Sequence, residues 1–78
     1  MRVRRLGSAF NVSVSRDEVV DFRQSWPCSD LPDKTITFQF DLNGDLIDMW
    51  PSEIDGPDVV ALSQDAYEYG ARKLKLGA

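Results

Sequence analysis

The sequence predicts one small α+β domain with the element order β-α-β-β-α, and three stretches carry that prediction. Thr35 to Trp50, TITFQFDLNGDLIDMW, alternates apolar and polar residues on both sides of Asn43-Gly44, the strongest short-range signal of a β-hairpin. Ser15-Arg16-Asp17-Glu18 has the spacing of a helix capping box. Pro57 opens a long segment whose apolar residues recur at helical spacing. Each strand offers only one apolar face, so a three-stranded antiparallel sheet with two helices on one face is the economical arrangement.

In chain order, Met1 to Gly7 is a basic stretch, expected as a flexible N-terminal arm or as an extension of the first strand, with residues 8–76 as the domain proper. Ala9 to Val14 alternates, with Phe10, Val12 and Val14 on one side and Asn11 and Ser13 on the other. In the first helix the Ser15 hydroxyl should accept from the Glu18 amide, while the Glu18 carboxylate reaches back to the Ser15 amide. Val19, Phe22 and Trp26 then form one apolar stripe. Pro27 disfavours helical geometry at Trp26 and ends the helix there. The connection Pro27 to Asp33 should tuck Cys28 and Leu31 beneath the helix end.

In the hairpin, a type I′ turn at Asn43-Gly44 sets Leu42 opposite Asp45, Phe40 opposite Ile47 and Phe38 opposite Met49 on the core face. The outer face then pairs Asp41 with Leu46, Gln39 with Asp48 and Thr37 with Trp50. That face is acidic, with Leu46 and Trp50 outside the core. After the loop from Pro51 to Gly56, Pro57 suits the first turn of the second helix, with Asp55 or Gly56 as cap. Val59, Leu62, Ala66 and Tyr69 form its inner row, flanked by Val60, Tyr67, Ala71 and Leu74. Gly70 weakens the later half of the helix by about 1 kcal/mol relative to alanine, or permits close approach to the sheet.

A chain of 78 residues buries only roughly 60% of its unfolded surface, so oligomerisation or a partner surface would add useful stability. Its charge is unevenly placed. Arginines 2, 4 and 5 lie at the start and Arg72, Lys73 and Lys75 at the end. Between them, three basic residues stand against all thirteen acidic ones, a body of net charge −10. Such a body repels phosphates and favours a basic protein surface, although acidic surfaces also serve simply to keep small proteins dissolved. No apolar run approaches the roughly 20 residues of a membrane span, and the N-terminus has no apolar signal-peptide core. The single cysteine excludes an internal disulfide and fits a cytoplasmic setting.

The residue inventory argues against catalysis. There is no histidine, which removes Ser-His-Asp and Cys-His arrangements and every histidine-containing metal site. Cys28 has no base near it in sequence and reads as a structural thiol. Asp41-Leu42-Asn43-Gly44-Asp45 has the glycine two places early for an EF-hand loop, and the glycines are too scattered for a phosphate loop. No cofactor is expected. Direct nucleic-acid binding is not expected either, because the aromatic residues fall on core faces in acidic surroundings. What remains is the outer face of the hairpin and its following loop: Asp41, Asp45, Leu46, Asp48, Trp50, Glu53, Asp55 and Asp58. A tryptophan rimmed by carboxylates has the form of a hot spot for a basic partner, unless Trp50 folds beneath a neighbouring element.

Val19-x-x-Phe22-x-x-x-Trp26-Pro27-Cys28-Ser29-x-Leu31, followed by Phe38-x-Phe40-x-x-Asn43-Gly44-Asp45-Leu46-x-Asp48, resembles small proteins of phages, prophages and related mobile elements. The resemblance spans about residues 12–62 and brings no functional residues with it. It implies a cytoplasmic setting in a bacterial host and, for a chain this small and acidic, an anti-CRISPR role. Such a protein would block DNA recognition by a type I crRNA-guided effector (Cascade), its acidic face occupying a basic, DNA-receiving subunit surface by a form of DNA mimicry. The chain would act as a monomer or homodimer. The alternatives are a small structural or oligomer-forming phage protein and a regulatory binding module.

Overall fold

A computed structural model describes residues 1–25, 31–52 and 56–75. Its elements are β1 (Arg2–Leu6), β2 (Ala9–Val14), α1 (Arg16–Gln24), β3 (Ile36–Asp41), β4 (Leu46–Trp50) and α2 (Pro57–Lys73). The strands form a single antiparallel sheet in the order β1-β2-β3-β4. The α+β class holds, but the sheet has four strands rather than three and the element order is β-β-α-β-β-α.

The added strand is the basic stretch expected as an arm or as an extension of the first strand, and it is instead a strand of its own. Gly7, at φ +63°, and Ser8 form a two-residue turn that lays Leu6 beside Ala9 and Val3 beside Val12. Positive φ at the first central residue alone is the pattern of a type II′ hairpin turn. Only Val3 of the strand packs against the core, so its apolar signal is a single residue among arginines.

The sheet is dry on one face. Phe10, Val12 and Val14 of β2 and Ile36, Phe38 and Phe40 of β3 are buried there together with Val19 of α1 and Val59, Leu62 and Ala66 of α2. Leu31 is buried in the same core, as expected, whereas Trp26 and Cys28 lie outside the described residues. Aromatic rings fill the β3–α2 end: the Phe40 centroid lies 5.5 Å from Phe10 and 5.4 Å from Tyr67, the latter edge-on. Gly70 is where α2 comes closest to the sheet. A Cβ there would stand 2.5 Å from Phe10 Cε2 and 2.8 Å from Val12 Cγ2. The glycine therefore gives close approach at the cost of helix propensity.

The capping box of α1 is present, with the Glu18 amide donating to Ser15 Oγ at 3.2 Å and the Ser15 amide to Glu18 Oε1 at 3.0 Å. Glu18 Oε2 also accepts from the Met1 ammonium at 2.7 Å. Partial burial pushes the Glu18 carboxyl up, but these hydrogen bonds outweigh it and hold the group below its ordinary range. Arg16 makes a two-pronged contact with Asp33 at 2.7 and 3.1 Å, linking the helix start to the lead into β3. That hydrogen-bonded pair holds Asp33 below the usual carboxylate range. Both side chains are well exposed, so the pair orients the connection more than it stabilises the fold.

The β3–β4 hairpin is present, but its turn is not type I′. Asn43 is not among the positive-φ residues, while Gly44 has φ +97°. The Gly44 amide donates to the Asp41 carbonyl at 3.2 Å, and the Asp41 amide to the Asp45 carbonyl at 3.0 Å. This is a three-residue loop closed by Asp41 and Asp45, with glycine at the left-handed position. The Asp41 carboxylate decides the outcome, because its Oδ1 accepts from the Asn43 and Asp45 amides at 2.9 and 3.0 Å.

Relative to the expected register, this loop shifts the first pairs by one residue, so Phe40 lies opposite Leu46 rather than Ile47. A bulge then absorbs the shift. Ile47 has no partner, and the expected pairs Gln39–Asp48, Phe38–Met49 and Thr37–Trp50 resume beyond it. Ile47, expected in the core, is 54% exposed.

Candidate functional site

The second face of the sheet is polar, and its layout follows from the registers. Residues directly opposite in antiparallel strands point to the same side, so two rows cross all four strands. One runs Arg2, Ser13, Thr37, Trp50, and the next runs Arg4, Asn11, Gln39, Asp48. Ser13 Oγ and Thr37 Oγ1 are 3.2 Å apart, a hydrogen bond that ties β2 to β3 across the first row. The Asn11 side-chain carbonyl is sealed from solvent and meets no donor among the described residues. No described helix or strand packs against this face, and Trp50 at its β4 edge is 47% exposed.

The face is therefore two-signed rather than acidic. β1 brings Arg2 and Arg4 to one edge, and β4 brings Asp48 to the other. With strands about 4.8 Å apart, roughly 14 Å separates the charges of opposite sign within a row.

The expected site residues do not all gather here. Asp48 and Trp50 stand on the face as expected. Asp41 lies beside Ala9 at its end, with Oδ1 committed to the turn, and Asp45 is exposed at the hairpin tip. Leu46 does not belong with Trp50. Its pairing with Phe40 turns it to the helix side, where it lines an open groove with Gly44, Gln64 and Tyr67. Asp58 is not a surface carboxylate either. It is 6% exposed, and its Oδ1 accepts from the Val59 amide at 2.9 Å within the first turn of α2, where the helix dipole favours negative charge. Glu53 and Asp55 lie outside the described residues.

The residues missed in sequence are Arg2, Arg4 and Asn11. Their signal is the alternation Arg2-Val3-Arg4 before Gly7-Ser8, a turn dipeptide ahead of a clear strand.

Among the described residues no three metal-ligating side chains stand together, and no helix is long and apolar enough to cross a membrane. No protein-family model, curated protein or solved structure matches the chain.

Proposed function

We propose that the chain is a non-enzymatic protein-binding module that docks through the uncovered face of its sheet. The observation that carries this reading is Trp50, a large aromatic side chain half exposed beside Asp48 on a face that no described element covers. Aromatic anchors ringed by polar groups concentrate binding energy, whereas exposed charge pairs alone contribute little. The chemistry at this edge suits a basic partner, with Asp48 and the hairpin-tip Asp45 supplying long-range attraction.

The resemblance to phage and prophage proteins supplies the specific form of the proposal: inhibition of a type I crRNA-guided effector by occupying a basic, DNA-receiving surface. The arginines on the opposite edge confine any mimicry of DNA to the β4 side. Effector–DNA binding measured with and without the protein tests it. Wild type is expected to reduce target-DNA binding in a salt-sensitive way, and the Trp50→Ala, Asp48→Lys double variant to lose that effect. Target-DNA binding left undiminished by wild type would rule out the inhibitor role, and equal inhibition by wild type and the double variant would rule out the proposed site.

A further inference from the structure

We infer that in the free protein the open sheet face pairs with the same face of a second copy of the chain. The inference rests on the proposal that this face is a docking surface, and it names what occupies it. Its basis is the order of side chains in the two rows. A two-fold axis running parallel to the strands, between β2 and β3, carries β1 of one copy over β4 of the other and leaves every row at its own height. Applied to the second row, it sets Arg4 of each copy over Asp48 of the other and Asn11 over Gln39. Applied to the first row, it sets Arg2 over the Trp50 ring and Ser13 over Thr37.

In these two rows each pairing is chemically matched, while the row at the end of the face sets Asp41 over Ala9. Arginine meets carboxylate, guanidinium meets an indole face, and hydroxyl meets hydroxyl. Carboxamide meets carboxamide where Asn11 lies over Gln39, each able to donate and accept. A uniformly acidic face would repel its own copy. A face with arginines on one edge and carboxylate on the other is complementary to itself under this one operation, as a two-fold interface requires. Two twisted sheets also stack naturally with their strands nearly aligned.

The face is small, four strands wide and about five residues long, or roughly 300 Å² in outline. Together with its polar composition, this places the pair among weak, salt-sensitive associations. Self-pairing and capture of a basic partner then compete, because Arg2 and Arg4 of the second copy occupy the edge such a partner would use.

Sedimentation equilibrium over a wide concentration range, at low and high salt, tests the pairing. Wild type is expected to form a dimer that weakens as salt rises. Arg4→Asp and Asp48→Arg are each expected to be monomeric, since each sets like charges over one another, with circular dichroism checking that both are folded. An equimolar mixture of the two variants should recover the dimer, because each contact then joins opposite signs. The doubly exchanged chain should recover it as well. A monomeric wild type at low salt, single variants that dimerise like wild type, or a mixture that stays monomeric would each overturn the inference. A monomeric protein that still inhibits an effector would leave the proposed function standing, whereas a dimer with no effect on any effector would leave only the pairing.

Discussion

The two hairpins of the sheet reach it by opposite routes. The β1–β2 hairpin turns at Gly7-Ser8 and then pairs without interruption from Leu6–Ala9 to Arg2–Ser13. The β3–β4 hairpin turns at Leu42-Asn43-Gly44, one residue longer, and needs a bulge at Ile47 to bring its later pairs back into step. The hairpin with the faint sequence signal is regular, and the one with the strong signal is not. A turn is selected by whichever backbone amides find partners. At Asp41 a carboxylate offers two amides an acceptor that the Asn43-Gly44 dipeptide cannot match from within a two-residue loop.

The largest expected effect separates the two hairpins by what each contributes to the core. Phe10 is fully buried against Phe40, Tyr67 and the Gly70 backbone, so Phe10→Ala should lower the unfolding free energy by about 3–5 kcal/mol in urea denaturation. Ile47 has the same apolar character in sequence but stands exposed in the bulge, and Ile47→Ala should change stability by no more than about 0.5 kcal/mol. A cost of several kcal/mol at Ile47 would mean that it faces Phe40 after all and that the bulge is absent.

An intermediate effect tests how closely α2 presses on the first hairpin. Gly70→Ala places a methyl group inside the contact with Phe10 and Val12, and overpacking should outweigh the gain in helix propensity, for a net loss of about 1–3 kcal/mol. A stabilised Gly70→Ala protein would show that the helix stands farther from the sheet.

The smallest effect separates the two turn types within β3–β4. Gly44→Ala forces a side chain to φ +97° with its Cβ 3.1 Å from the Tyr67 ring, and should cost about 1–2 kcal/mol or slightly more. Asn43→Ala should cost less than about 0.5 kcal/mol, because Asn43 has negative φ and only its backbone amide is used. In a type I′ turn both substitutions would be costly, so thermal unfolding of this pair of variants distinguishes the two loops.

Much of the fold was legible in the sequence because short-range chemistry decided it. The capping box at Ser15, Pro57 at the start of α2 and the alternation in β2 and β3 are each settled within a few residues, and all are found. β1 was harder to read. One half-buried valine among three arginines looks like a solvated tail until β2 supplies its partner strand. The candidate site was legible in part. Asp48 and Trp50 follow from any register that keeps them opposite Gln39 and Thr37, and the bulge restores that register. Leu46 fell between turn and bulge, where the register differs by one and a residue changes face. Asp58 reads as one more acidic residue, and only the packing of α2 shows that it is buried. The two-signed character of the face depended wholly on β1.

The bulge at Ile47 also bears on how the protein survives at high concentration. β4 is the last strand of the sheet, and its outer side is a comb of backbone donors and acceptors of the kind that recruits further strands into fibrils. The extra residue puts the groups before it out of step with those after it, and Pro51, next beyond the strand, contributes no amide. An incoming strand can follow that edge for only two or three residues before its register fails. Deleting Ile47 would give a shorter, regular hairpin and, with it, an unbroken edge on which copies could stack without limit.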